Sequence, residues 1–237
     1  MPVERLHQHG MTLVELMVGL AVGMIVVAGA VVMATSQIGD HKRLVLETQV
    51  QQDLRAAADM MLRDIKRAGA WPKASTSVWA PDNSSPDSNP YTGMQILAAG
   101  DPAAVSGDEI AYSYWDDKQN HAPPAVLPLD AEQHGFRLRN KRLEYRLGGS
   151  YQPLTDPAML EVREFTVTLN TQAVPLPDYC LMPCNGLANC PPALQVHDVR
   201  INIRGVATHD AEVERTLSLR ARVRNDEIVT GACPPTP

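Results

Sequence analysis

The stretch Gly10–Ala34, GMTLVELMVGLAVGMIVVAGAVVMA, decides how the rest of the chain is organised. From Leu16 to Ala34, nineteen consecutive residues carry no charge. An α-helix needs about 20 such residues to cross a ~30 Å hydrocarbon core. One acid, Glu15, stands at the entrance to the run. A carboxylate carried into a membrane costs about 3 kcal/mol unless something compensates it. Thr12 and Glu15 have the spacing of a capping box, in which hydroxyl and carboxylate satisfy free amides of the first helical turn. Gly19 and Gly23 form a G-x-x-x-G step, followed by a second small-residue step at Ala30 and Ala34. This spacing lets helices approach closely, although glycine is also simply common in membrane helices.

On the N-terminal side, MPVERLHQHG is short, polar and ends in Gly10. On the C-terminal side, Thr35-Ser36-Gln37-Ile38-Gly39 is a poor match to the A-x-A-like site that follows a secretory signal. The apolar segment is therefore read as retained. Arg5 before it, and Lys42 and Arg43 after it, leave its orientation unset by flanking charge. Beyond Gly39, Leu46, Val50, Leu54, Ala57, Met61, Ile65 and Ala68 recur every three or four residues, one apolar stripe on a continuing helix. Arg55, Asp59 and Arg63 fall on its solvent side at spacings of four. Gly69 before Trp71-Pro72 is a stop signal. A helix over 12–68 would be on the order of 85 Å long. Its second half is expected to pack on the domain that follows.

Residues Trp71–Pro90 are rich in Ser, Pro, Asn and Asp and read as a surface loop. Alternating segments come next. Ile110, Tyr112 and Tyr114 share one face, and Phe136–Arg139 and Leu143–Leu147 flank Asn140-Lys141-Arg142 as a hairpin. Phe165, Val167 and Leu169 alternate, as do Val199, Ile201 and Ile203. Leu217, Leu219, Ala221 and Val223 alternate with Ser218, Arg220, Arg222 and Arg224. Period two with one polar face predicts an antiparallel sheet covered on one side by the helix stripe. The expected fold is α+β. The expected segments are a leader (1–10), an apolar half-helix (11–34), an amphipathic half-helix (35–69) and a β-rich head (70–237).

The chain has 27 acids against 21 bases, a net charge of −6. That balance argues against a dedicated nucleic-acid binder, and the Arg-bearing strand faces read as solvated. The four cysteines, Cys180, Cys184, Cys190 and Cys233, all lie in the C-terminal quarter. An even count beyond a membrane-type segment fits disulfides in an oxidising compartment, with three pairings open. A bridge from the 180–190 loop to Cys233 would tie down the tail; two local bridges are the alternative. The C-x3-C-x5-C spacing lacks the C-x2-C knuckle of zinc sites.

Gly10-Met11-Thr12-Leu13-Val14-Glu15, followed by a long apolar helix, resembles the class III signal of type IV pilins and type II secretion pseudopilins. The resemblance implies cleavage by a prepilin peptidase between Gly10 and Met11, and N-methylation of Met11, where the family usually has Phe. It implies that Glu15 attracts the N-terminal ammonium of a neighbouring subunit during assembly. Thr12, Gly19 and Gly23 join it as candidate helix-contact residues. Arg67-Ala68-Gly69 at the helix end, Gly107-Asp108-Glu109-Ile110 and the closing Arg222-Val223-Arg224-Asn225 resemble the PilW group of minor pilins and the related J-type pseudopilins. Implied partners are other minor pilins, a major pilin, the peptidase and an inner-membrane assembly platform. The implied location is the inner membrane with a periplasmic head, then the pilus.

No H-E-x-x-H, G-x-S-x-G or P-loop pattern occurs. Asp116-Asp117, Asp82 and Asp87 lack EF-hand spacing and read as solvated loop acids. The chain is therefore expected to be non-enzymatic and to need no metal or cofactor. The readings that compete with a minor pilin are a J-type pseudopilin and an anchored periplasmic receptor or enzyme domain.

Overall fold

A computed structural model describes residues 10–77, 88–98, 104–116, 128–229 and 233–234. The chain divides into two units, Met1–Leu46 and Glu47–Pro237, and one helix, α1 (Leu13–Ile65), contributes to both. From Leu16 to Ala34, within the first unit, α1 is apolar around its circumference. Its 18-residue apolar window has a mean hydropathy of 2.6 with none of it buried. Among the described residues it is the one helix long and apolar enough to cross a membrane. An all-round apolar helix needs a partner on every side, either lipid or protein.

In the second unit the stripe takes over. Val50, Leu54, Ala57, Met61 and Ile65 are buried, and the neighbouring Ala58 is buried with them. Burying each large aliphatic side chain contributes about 1.5–3 kcal/mol. Arg55, Asp59 and Arg63 are exposed, as the spacing predicts. Arg63 Nε, however, donates to the Asp59 carbonyl at 3.1 Å, a backbone contact within the helix. Leu54 approaches β8 (Ala193–Ala207) at Gly205, where an added Cβ would lie 2.7 Å from Leu160 Cδ1 and 3.2 Å from Leu54 Cδ2. Glycine there is what lets helix and strand close up.

The helix ends at Ile65 and turns through Gly69, whose φ of +74° is the left-handed conformation of a C-terminal cap. The carbonyls of the turn that follows are covered by side chains. Asn225 Nδ2 donates to Ala68 O at 2.9 Å, and Asn89 Nδ2 donates to Gly69 O at 2.8 Å.

The strands form two antiparallel sheets, where the sequence reading anticipated one. The first runs β1 (Gln95–Leu97), β3 (Glu109–Ser113), β4 (Gln133–Arg139), β5 (Arg142–Leu147), β6 (Ser150–Pro153). The hairpin at Asn140-Lys141 is present, with both residues at positive φ (51° and 62°), the backbone of a tight two-residue turn. The second sheet is built on the long ribbon of β7 (Leu160–Pro175) and β8. On the outer side of β7 lies β2 (Ser106–Gly107). On the outer side of β8 lie β9 (Asp210–Arg222) and β10 (Glu227–Val229). The alternating residues do what the pattern predicts: Phe165, Val167, Val199, Ile201, Ile203 and Ala221 are all buried. The Trp71–Pro90 loop holds a short 3-10 helix at Ala74–Ser77; residues 78–87, with Asp82 and Asp87, lie outside the described residues, as does Asp117.

Candidate functional site

Two places concentrate chemistry: the start of α1, and the junction where the helix end meets the first sheet. At the start of α1, Thr12 Oγ1 accepts the Glu15 N–H at 3.3 Å, which is the hydroxyl half of a capping box. Leu16 N–H reaches the Thr12 carbonyl at 3.2 Å and opens the helical ladder. Glu15 lies in the first turn, where the helix dipole favours an anion. Gly10, Met11 and Glu15 are exposed, and Met11 leaves 69 % of its surface uncovered. At Gly19 and Gly23 an added Cβ would meet nothing within 4 Å. Among the described residues of its unit, packing requires neither glycine. Their small size is available to another helix.

The junction in the second unit joins distant residues around one carboxylate. Asp64, on the last turn of α1, accepts hydrogen bonds from Tyr112 Oη at 2.5 Å and Tyr114 Oη at 2.7 Å. The Arg67 guanidinium lies 4.2 Å from the centre of the Tyr114 ring. His134 stacks on the Tyr114 ring at 3.9 Å between centroids, nearly parallel, and its Nδ1 shares a 2.8 Å hydrogen bond with Tyr145 Oη. Burial, then the Asp64 charge, raises the Tyr112 and Tyr145 hydroxyls, Tyr145 to about 12. Burial also lowers His134 below its ordinary value, against the pull of Asp64 and with the help of Arg67. The imidazole is therefore held neutral.

Beside this cluster, Glu132 is fully buried: its Oε2 accepts from Tyr91 Oη at 2.9 Å and from Leu129 N–H at 2.8 Å. Glu144 is also buried, clamped between Arg137 and Arg142 at 2.8 and 2.9 Å. Burial pushes its carboxyl up, but the two guanidiniums outweigh burial and bring it below the usual range. These groups are engaged with one another and serve as ties between elements. The sequence reading singled out Tyr112 and Tyr114 as core-facing but not Asp64, His134, Glu132 or Glu144. The partners of Asp64 lie 48 and 50 positions along the chain, too far for local spacing to reveal, whereas those of Glu144 lie on its own hairpin.

The cysteines come together in the C-terminal part of the second unit. Cys180 is bonded to Cys233, and Cys184 to Cys190. Cys180, Cys184 and Cys190 have sulfurs within 4.8 Å of one another, a spacing that a metal could bridge, but each sulfur is already in a disulfide. Of the three pairings open to the sequence, the chain combines one long tie to the tail with one local bridge.

Comparison with known families adds to this geometry. Residues 43–223 match the family described as prepilin peptidase-dependent protein B. The chain belongs to that family. Residues 5–31 match the prokaryotic N-terminal methylation motif, which covers Gly10, Met11 and Glu15. The family match lies on the helix end and head, the motif on the anchor, and both describe a type IV pilin-like protein carrying a class III prepilin signal. No curated protein and no solved structure matches the chain. Membership of this family makes the chain a pilin or pseudopilin and points to a prepilin peptidase as its processing enzyme.

Proposed function

We propose that this chain is a minor pilin, most like the PilW group, that initiates or caps a type IV pilus and has no enzymatic activity. The observation that carries the reading is the first turn of α1. Glu15, the fifth residue after the expected cleavage site, lies in the first turn of α1 with its N–H held by Thr12. The apolar residues from Leu16 to Met33 beyond it, with Gly19 and Gly23, are exposed. In the inner membrane the apolar half-helix is an anchor. Cleavage after Gly10 frees the Met11 amine, which is then N-methylated. Glu15 pairs with the N-terminal ammonium of an adjacent subunit. Inside a bundle of apolar helices that attraction is far stronger than in water, because the surroundings screen it poorly. Gly19 and Gly23 let the neighbouring helix approach closely. The partners are the other minor pilins, the major pilin and the assembly platform. The disulfides fit a head that folds in the oxidising periplasm.

Glu15→Ala tests the reading. It is expected to abolish incorporation and piliation while the membrane-bound protein persists at its normal level. Normal piliation would overturn the role of Glu15. Deleting the chain separates the pilus reading from a J-type pseudopilin. Loss of pili supports the former; loss of protein secretion with pili intact supports the latter.

A further inference from the structure

The β7–β8 ribbon carries a surface that the assembly reading does not use. Along Asn170–Pro175, β7 is exposed on both faces, and among the described residues its only outer neighbour, β2, pairs no further along than Thr168. The direction of its backbone groups follows from two bonds. Leu176 N–H donates to Pro192 O, on the side of β8, whereas Leu169 N–H donates to Val105 O on the outer side. Alternation then turns the N–H and C=O of Thr171 and Ala173 outward, together with the C=O of Pro175.

Natural sheets protect such edges with charge. The other long outer strand, β9, does so with Glu212, Glu214, Arg215, Arg220 and Arg222. The β7 edge, Asn-Thr-Gln-Ala-Val-Pro, has no charge, and from Asn170 to Val196 the only charged residue is Asp178. The ribbon runs straight into the disulfide-held loop, whose Leu181, Met182 and Leu187 are exposed. Among the described residues, an open hydrogen-bonding edge thus continues into an exposed apolar tip held in place by two covalent bonds.

We propose that this edge and tip receive an uncharged β-strand from the head of a neighbouring pilin-like subunit, in an inference that rests on the assembly reading above. The edge's chemistry selects the occupant. Among the described residues the outward N–H and C=O groups of Thr171 and Ala173 meet no strand. Such groups in strand alternation are matched by another extended backbone, and an edge without charge offers a charged strand no counter-ion. The apolar tip supplies contact area beyond the end of the pairing. A second copy of this chain fits worse. An antiparallel self-pair centred on Gln172 sets Pro175 of one copy opposite Leu169 of the other, whose outward N–H already serves Val105 O.

The test is photocrosslinking in piliated cells, with a photoreactive residue replacing Gln172 in the full-length chain. The expected product is a crosslink whose partner peptide, identified by mass spectrometry, lies in the head of another pilin-like subunit. Ala173→Pro removes one outward N–H and leaves the β7–β8 bonds in place, and it should reduce the crosslink at least tenfold. Val174→Lys, which puts a charge on the edge without changing the backbone, should do the same. Both variants should retain the wild-type level of the Cys180–Cys233 bridge as a measure of folding. A crosslink confined to residues 98–103 of the same chain, to a second copy or to lipid overturns the proposal. So does the absence of any crosslink, or one unchanged in both variants. If Glu15→Ala abolishes pili while the Gln172 probe finds no pilin head, the assembly reading stands and this inference alone falls.

Discussion

Asp64 shows how much a single side chain can organise. Its carboxylate joins the end of α1 to β3 and the residue after it through the hydroxyls of Tyr112 and Tyr114. Tyr114→Phe leaves ring packing intact and removes one charge-assisted hydrogen bond, so a loss of about 1.5–3 kcal/mol is expected in denaturant unfolding of the purified protein. An unchanged midpoint would show that the tie is idle. His134 supplies a pH prediction. Its folded value is depressed by burial, so the unfolded chain binds the extra proton first. The contribution of His134 is therefore complete above about pH 6.5 and is lost as pH falls below that value. His134→Phe should flatten the acid side of the stability profile in this window, and the same slope in the variant would assign the effect elsewhere. Glu144→Ala strips the partner from two guanidiniums and is expected to cost about 2 kcal/mol, read from the thermal midpoint. The Asp64 tie was not legible in the sequence. Asp64 and Tyr112 are separated by 48 positions, so a pattern read over one or two turns cannot join them.

At the scale of elements, much more could be read. The apolar stripe from Leu46 to Ala68 and the stop at Gly69 arise from local periodicity and local backbone geometry, and both are present. The same holds for the Asn140-Lys141 hairpin and for the alternating strands of β7, β8 and β9, whose inward residues are a property of period two. Two things escaped because they depend on non-local pairing. One is the division of the strands between two sheets. The other is the choice of cysteine partners, since composition ranks no pairing over another. The long bridge makes its own prediction. Cys180 and Cys233 are 53 residues apart, and opening a loop of that length removes about 4 kcal/mol of stabilisation on the chain-entropy account. Cys233→Ser should therefore lower the unfolding free energy of the purified protein by about that amount. A loss under about 1 kcal/mol would mean that the tail bridge leaves the unfolded chain nearly as free as before.

At the scale of the whole molecule, the two units divide the work. The first supplies a helix with an apolar surface that finds no partner among the described residues of its own unit, and an acid in its first turn whose N–H is capped by Thr12. The second supplies a folded head in which the buried acids are tied to hydroxyls or guanidiniums. The apolar half of the helix was legible because it follows from composition: a nineteen-residue uncharged run cannot belong to an ordinary surface helix. The methylation motif, residues 5–31, covers most of that apolar run, and the family match, residues 43–223, takes in the rest of α1 and the strands. Every functional step proposed for the chain passes through the bond between Gly10 and Met11. Mass spectrometry of the protein purified from cells with an active prepilin peptidase tests that step directly. The account predicts a mature chain that begins with N-methylated Met11. A chain that retains Met1 through Gly10 under those conditions would contradict it.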